Sequence, residues 1–139
     1  MKRELLILLL GGAIASTHGA PGNQLQPTAK QLAGSYYCGD GLGYNVTINF
    51  DDAGTYTASW HGCLGEYGTA KGTWAVAGKL ITLKPIAETG MMKGHLRQLN
   101  IVRKKGGFVF VPDLKDDYYR KYGADDYSAF HKQIPKPKK

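Results

Sequence analysis

The feature that most constrains this chain is a glycine followed two residues later by an aromatic residue, set in stretches where apolar and polar residues alternate. Examples are Gly34-Ser35-Tyr36, Gly54-Thr55-Tyr56 and Gly72-Thr73-Trp74. Alternation with a period of two is typical of half-buried β-strands, and glycine at a strand boundary favours a tight turn. The repeat therefore predicts an antiparallel β protein with short connections.

The clearest strand runs from Tyr44 to Phe50, and the residues after it predict both a turn and a register. A three-residue loop over 52–54 places Gly54 at the left-handed position of a bulged turn and pairs Asp51 with Thr55. The inward-facing pairs that follow are Phe50 with Tyr56, Ile48 with Ala58, and Val46 with Trp60.

The next two turns predict the same inner face. A loop over 64–66 pairs Cys63 with Tyr67, and a turn at Ala77-Gly78 closes the following hairpin. Small residues then oppose large ones, which suits packing inside a sheet. The predicted inner pairs are Trp60 with Ala70, Ala58 with Gly72, Tyr56 with Trp74, Trp74 with Ile81, and Gly72 with Leu83.

The fold class predicted from this pattern is all-β, a small antiparallel up-and-down barrel of about seven strands. The first strand is expected over 34–38, and the last two over 94–103 and 108–111. One or two short C-terminal helices follow. The first helix begins after a cap at Asp113 and ends at Gly123, and one stripe of it carries Leu114, Tyr118 and Tyr122. The second helix begins after a cap at Asp125 or Asp126 and carries Tyr127 and Phe130. Both stripes are expected to pack against the barrel.

The N-terminus predicts export. Lys2 and Arg3 precede the apolar run Leu5–Leu10, and Ala13-Ile14-Ala15 fits a small-x-small cleavage site, with a later alternative at 19–20. The run is too short to span a bilayer, so no transmembrane segment is predicted. We expect a periplasmic or secreted monomer, with a signal peptide at 1–15, a flexible lead-in at 16–33, the barrel at 34–112, a helical segment at 113–134 and a basic tail at 135–139.

The net charge favours anionic surfaces without indicating a nucleic-acid partner. The chain carries 18 basic and 11 acidic residues, a net charge of +7. Loss of residues 1–15 leaves 16 basic and 10 acidic residues, a net charge of +6. Weak attraction to anionic envelope surfaces follows. Nucleic-acid binding is not expected, because no face interleaves basic residues with aromatic ones, and the cluster Arg103-Lys104-Lys105 is interpreted as a solvated turn.

The motifs Gly34-x-Tyr36, Gly54-Thr55-Tyr56 and Gly72-x-Trp74, followed by Gly78-x-x-Ile81-x-Leu83, carry a resemblance. Over about residues 34–85 the chain resembles small bacterial lipocalin-like domains. It is similar in order and spacing to the N-terminal barrel of envelope copper-resistance and stress-sensing lipoproteins. This implies a lipocalin-like fold. Those lipoproteins carry Cys-x-x-Cys between the first two strands, whereas this chain has only Cys38 there, so their copper role does not transfer.

A second resemblance is carried by Tyr36-Tyr37-Cys38-Gly39, which is similar to a segment of secreted lysozyme inhibitors. The serine-glycine inhibitory loop of those proteins is not evident in this chain. The resemblance keeps inhibition of a secreted enzyme as one alternative function, and the sequence names no target enzyme.

One end of the predicted barrel is the expected place for a site, because alternate connections of a meander share an end. The segments 39–43, 64–66 and 86–93 should lie together there. Three interpretations stay open: a rim of ordinary polar loops, the mouth of a pocket for a small apolar ligand, and a copper site built from soft donors. The pocket candidates are Tyr44, Ala58, Trp60, Gly72 and Trp74, and the metal candidates are His61, Met91, Met92 and His95.

The two cysteines are predicted to form a disulfide, since an exported chain has an even count of them. Cys38 and Cys63 both lie near strand ends, although one strand is expected between theirs. No catalytic or cofactor motif is recognised, so the sequence predicts a non-enzymatic, exported or envelope-associated binding protein without a cofactor. Copper binding and enzyme inhibition are the alternatives.

Overall fold

The computed structural model describes residues 26–135, which form a closed barrel of eight antiparallel strands in sequence order. The all-β class and the barrel are thus confirmed, with one strand more than predicted. The predicted signal peptide (1–15) and residues 136–139 lie outside the described residues. The strands are β1 Gly34–Gly39, β2 Asn45–Phe50, β3 Thr55–Gly62, β4 Gly65–Ala77, β5 Leu80–Glu88, β6 Gln98–Lys104, β7 Gly107–Pro112 and β8 Phe130–Lys132. The helices are α1 Ala29–Leu32 and α2 Asp116–Tyr122, with 3-10 turns at Gly90–Met92 and Asp113–Lys115.

The predicted hairpin between β2 and β3 is confirmed. All three predicted inner pairs are present, beginning with Phe50 opposite Tyr56. The Asp51 N–H donates to the Thr55 carbonyl at 2.9 Å, and Gly54 takes a φ of +93°. Glycine adopts that left-handed conformation without steric cost, so the turn residue determines the register of the whole hairpin.

The predicted register between β3 and β4 is wrong by two residues. Trp60 lies opposite Gly68 rather than Ala70. The turn is tighter than predicted, because Gly62 already pairs with Gly65, and a bulge next to Trp60 then moves the pairing by one residue. Because the side-chain period of a strand is two, a displacement of two residues leaves the same side chains inside the barrel.

The predicted register between β4 and β5 is also wrong by two residues. Trp74 lies opposite Leu83 rather than Ile81. The turn consists of residues 78 and 79, so Ala77 pairs with Leu80. The predicted inner face is again retained, because Trp74, Ile81 and Leu83 are all buried.

Aromatic rings fill much of the barrel interior. The Tyr36 and Phe110 ring centroids are 4.3 Å apart, and those of Phe50 and Trp74 are 4.8 Å apart. Phe50 also meets Phe110 edge to face at 5.7 Å. Pairs of this kind stabilise a core beyond the area that they bury. The alternating aromatic residues of the sequence are therefore the main packing material of the barrel.

The segment 29–32, predicted to be part of a flexible lead-in, forms the short helix α1. Thr28 and Gln31 make a reciprocal capping box at its start, which satisfies two otherwise free N–H groups. Leu32 is fully buried, and its carbonyl accepts a hydrogen bond of 2.8 Å from the Tyr36 hydroxyl. One apolar side chain and one internal hydrogen bond thus fix α1 across an end of the barrel.

The C-terminal segment departs most from the prediction. One helix, α2, is present, and where a second helix was expected the chain returns as β8 between β7 and β1. Asp125 accepts hydrogen bonds from the N–H groups of Tyr127 and Ser128, as a helix cap would, but no helix follows. An open barrel would leave β1 and β7 with unpaired backbone groups, and β8 satisfies them.

The outer face of β7 explains where α2 packs. Val109 and Val111 point away from the interior and are covered by Tyr119 and Ala124. The predicted stripe was therefore the wrong face of the helix. The side chains expected to pack against the barrel, Leu114, Tyr118 and Tyr122, are exposed. None of the helices within residues 26–135 is long and apolar enough to cross a membrane.

Candidate functional site

The two ends of the barrel differ in how the strands are joined. The turn end is defined by α1 and the short connections 51–54, 78–79 and 105–106. The loop end is defined by the connections 40–44, 63–64, 89–97 and 113–129. The site expected from the sequence lies at the loop end.

The loop end is closed by four side chains from different parts of the chain, Tyr44, Trp60, His95 and Lys115, here called the loop-end cluster. The Tyr44 hydroxyl lies 3.1 Å from His95 Nε2. The Trp60 ring centroid is 4.9 Å from that of Tyr44 and 4.6 Å from that of His95. Trp60 Nε1 donates to the Gly43 carbonyl at 2.8 Å, and Lys115 Nζ lies 4.4 Å from the Tyr44 ring centroid. These contacts join three of the four loop-end connections to β3.

Burial favours the neutral forms of the histidine and the tyrosine of this cluster. It lowers the pKa of the His95 imidazole below its usual value, and the Lys115 ammonium lowers it further. Burial also raises the pKa of the Tyr44 hydroxyl far above its usual value, with a smaller contribution from Cys38. The Tyr44 O–H is thus free to donate to a neutral His95. The arrangement is that of a packed and hydrogen-bonded closure.

The metal candidates are divided between the outside and the inside of this end. His61 is exposed and lies 3.9 Å from the Glu66 carboxylate, whereas His95 is in the loop-end cluster. Met92 is buried in the core and Met91 is exposed. Among residues 26–135, no three His, Cys, Asp or Glu side chains are grouped so that they could hold a metal ion. Copper binding stays a prediction from the residue types.

The predicted disulfide is wrong, because Cys38 and Cys63 are both free. Cys38 faces the interior from β1, opposite Val46 of β2, with Sγ 3.5 Å from the Asp126 carbonyl oxygen. Cys63 lies in the exposed turn between β3 and β4, with Sγ 3.3 Å from the Leu42 carbonyl oxygen. Since β2 separates the two strands, the cysteines are about two strand spacings, or roughly 10 Å, apart. A disulfide needs Cα atoms within about 7 Å.

The five pocket candidates lie at different levels of the barrel. Tyr44 and Trp60 belong to the loop-end cluster, and Ala58 and Gly72 lie on the inner wall. Trp74 lies towards the turn end. The sequence interpretation treated small residues on the inner wall as room for a ligand, and the packing around Gly72 tests that idea directly.

The space beside Gly72 is taken by the backbone of β5. A Cβ added to Gly72 would collide with the Lys84 carbonyl oxygen and would lie 2.8 Å from Pro85 Cα. The neighbouring Trp74 is held in place by a hydrogen bond of 2.8 Å from its Nε1 to the Asp51 carbonyl. Glycine is needed here for a close backbone approach at a bulge, which is a common reason for glycine within a strand.

A half-open cleft of about 500 Å³, which we call the turn-end cleft, lies at the turn end. Its wall combines apolar side chains with two cations. The apolar members are Pro27, Ile101, Val102 and Phe108, and the cations are Lys79 and Arg103. The volume falls within the usual range of small-molecule sites, roughly 300–1,000 Å³.

Strand alternation positions the cleft residues. Ile101 and Arg103 share the inward phase of β6, and Phe108 enters from β7, opposite Arg103. The Arg103 guanidinium carbon lies 4.9 Å from the Phe108 ring centroid, a cation–π geometry. The Ile101 N–H donates to the Lys79 carbonyl at 2.7 Å, which brings the 78–79 turn against β6.

The sequence interpretation missed this site because it treated Arg103-Lys104-Lys105 as a single solvated turn. The available signal was the phase of the strand: an arginine two residues after a buried isoleucine points inward at the mouth of a barrel.

Comparisons with protein-family models, with curated proteins and with solved structures found no match to this chain. The resemblance to lipocalin-like domains therefore stays a prediction from motifs, and any function has to be argued from the geometry of the two ends.

Proposed function

We propose that this barrel binds a small amphiphilic anion, a molecule with an apolar body and one acidic group, in the turn-end cleft. The observation that carries the proposal is the composition of that cleft: an apolar wall of Ile101, Val102 and Phe108 with Lys79 and Arg103 beside it. Ligand sites are mostly apolar, with a few polar groups that orient the ligand. The proposal retains the small apolar ligand expected from the sequence and adds an acidic group.

The charges of the cleft favour an acidic ligand. Arg103 and Lys79 have no carboxylate among the cleft residues to neutralise them. The planar guanidinium of Arg103 can bind a carboxylate, sulfonate or phosphate in a bidentate manner, which is stronger than a neutral hydrogen bond. The Phe108 ring, 4.9 Å from the guanidinium carbon, supports Arg103 through a cation–π contact.

Binding is a better interpretation of this cleft than catalysis. The described residues that line it include no His, Cys, Ser, Thr, Asp or Glu side chain. A hydrolase or transferase site needs a nucleophile or a general base within reach of the ligand. The two cations can bind and orient an acidic group.

The test is displacement of the fluorescent anion 1-anilinonaphthalene-8-sulfonate by three ligands of equal chain length: dodecanoate, dodecanol and dodecyltrimethylammonium. We expect dodecanoate to compete best. Arg103→Gln should weaken its binding about tenfold, the equivalent of roughly 1.4 kcal/mol for one charge-assisted contact.

The matched control is Lys84→Gln, which removes one positive charge from the exposed outer face of β5. It should leave dodecanoate binding unchanged. Equal competition by the three ligands, or an equal loss in Arg103→Gln and Lys84→Gln, would show that the cleft is not an anion site.

A further inference from the structure

The fold separates charges that are scattered in the sequence. Six exposed basic residues from α1, two turns and the adjoining strand ends surround the turn end. Among residues 26–135, only Asp51 and Asp52 oppose them there. The opposite end is net acidic: its connections and adjoining strand ends carry eight Asp or Glu residues and five Lys or Arg residues, with Arg97 paired to Glu88. The basic residues at the turn end are Lys30, Lys79, Arg103, Lys104, Lys105 and Lys132.

The two ends act as separate electrostatic surfaces. A strand of six residues such as β1 is about 20 Å long, while the Debye length at physiological ionic strength is about 8 Å. The acidic loop end therefore screens little of the field at the turn end. A partner that approaches the turn end meets a positive surface, whatever the net charge of the whole chain.

We infer that the turn end docks on an anionic membrane surface and sets the mouth of the turn-end cleft against the lipid headgroups. Charge complementarity carries the docking, because clusters of four to eight Lys or Arg residues are attracted to anionic lipids. The inference rests on the proposed function for the identity of the ligand: the amphiphilic anion is then a lipid of that membrane. A lipid offers both parts that the cleft binds, an acidic headgroup and an apolar chain.

Docking on the membrane through the loop end would have a different physical basis, so an experiment can distinguish it from docking through the turn end. The loop end exposes large apolar side chains from its connections, among them Leu42, Leu64, Met91 and Leu114. Docking through that end would depend on apolar insertion and would be insensitive to lipid charge and salt. Docking through the turn end depends on both, since each Lys or Arg near an anionic surface strengthens binding on the order of fivefold.

The experiment is co-sedimentation of the purified protein with vesicles of phosphatidylcholine alone or mixed with phosphatidylglycerol, at low and high ionic strength. We expect binding only to the mixed vesicles, with strong weakening at high salt. The double variant Lys104→Glu/Lys105→Glu lies beside the cleft without lining it, and it should weaken binding by at least about 25-fold.

The matched control is Lys71→Glu/Lys84→Glu, the same change in charge on the outer wall of β4 and β5. It should weaken binding far less. An equal loss in both double variants would overturn the inference, because net charge alone would then explain binding. Salt-independent binding to phosphatidylcholine that is lost in Leu42→Ser/Leu64→Ser would overturn it in favour of the loop end.

Failure of this inference is separable from failure of the proposed function. If the protein displaces the naphthalene-sulfonate probe with dodecanoate but does not sediment with mixed vesicles, the membrane inference is wrong and the cleft remains an anion site. If it sediments with mixed vesicles through Lys104 and Lys105 but dodecanoate does not displace the probe, the docking is correct and the ligand assignment is wrong.

Discussion

The loop end and the turn end are built on the same eight strands, yet one is closed by side chains and the other is left half-open. At the loop end, connections of up to seventeen residues bring Tyr44, His95 and Lys115 together over Trp60. At the turn end, three short turns and the four-residue helix α1 leave a cleft beside Phe108. The length of the connections, rather than the strands, decides which end of this barrel is left open.

The difference also concerns charge. Aromatic and histidine side chains at the loop end are held neutral by burial. Cations at the turn end remain exposed and are not neutralised by a nearby carboxylate within the cleft. A closed end with a neutral tyrosine and histidine, and an open, positive end, imply that stability and the proposed binding depend on different residues, which substitutions can test.

The largest effect is expected from Gly68→Ala, which should disturb closure of the loop end. An added Cβ would collide with the Thr89 carbonyl oxygen and lie 2.8 Å from Met91 N and 2.9 Å from Met92 N. We expect a loss of about 3 kcal/mol in the free energy of unfolding, measured by chemical denaturation, because backbone cannot move aside as a side chain can. Binding of the fluorescent anion at the turn end should persist below the unfolding transition.

Gly43→Ala is the control for this substitution. It lies at the same end, a Cβ there would have no heavy atom within 4 Å, and its φ is not positive. Its effect should remain within about 0.5 kcal/mol. Equal denaturation midpoints for the two variants would mean that the connection 89–97 does not pack on β4 as described.

An intermediate effect is expected from pH at the loop-end cluster. The pKa of His95 is lower in the folded protein than in the unfolded chain, so the unfolded chain binds the proton more readily. Stability should therefore fall as pH drops through the unfolded value of about 6.5, and the His95 contribution should level off below the folded pKa. For this one proton, the free energy of unfolding cannot change by more than about 1.4 kcal/mol per pH unit.

The measurement is the denaturation midpoint between pH 7.5 and pH 5, roughly one unit on each side of the unfolded histidine value. His95→Gln should flatten the decline. His61→Gln should leave it unchanged, because His61 is exposed at the same end outside the cluster. Carboxyl groups with lowered pKa values, such as Glu88 and Asp125, also make stability depend on pH. Their contribution is the same in all variants and falls mainly below this pH range. An unchanged slope in His95→Gln would contradict the role of the cluster.

The smallest effect on stability is expected from Cys63→Ser, because Cys63 is exposed in a turn and bonded to no other cysteine. The change should remain within about 0.5 kcal/mol. In the native protein a thiol reagent should modify Cys63 readily. Cys38 should react only after unfolding, since it is fully buried and burial raises the pKa of its thiol to about 12. Absence of free thiols in denatured, unreduced protein would restore the predicted disulfide.

The sequence predicted best those features that depend on interactions between residues close together in the chain. The β2–β3 hairpin was predicted in detail, because Gly54 and the alternation around it are neighbours in the chain. The next two registers were wrong by two residues, because the turns lie at 63–64 and 78–79 rather than at 64–66 and 77–78. The inner face was nevertheless right, since a displacement of two residues preserves the alternation.

The candidate site was predicted less well than the fold. The loop-end connections do bring Tyr44, Trp60 and His95 together, but as a packed closure rather than as the mouth of a pocket. The inward phase of Arg103 was present in the sequence, yet its meaning depended on the 78–79 turn lying against β6. Contact between the two segments cannot be inferred from either one alone.

The amino-acid sequence by itself determined the all-β class, the order of the first seven strands, the residues that face the interior and the β2–β3 hairpin. These properties follow from a period of two and from the conformational freedom of glycine, both of which act over a few residues. Only the tertiary structure decided that β8 closes the barrel, that β2 keeps Cys38 from Cys63, and which end stays open. These outcomes depend on backbone pairing and on packing between segments far apart in the chain, where many local patterns are compatible with more than one arrangement.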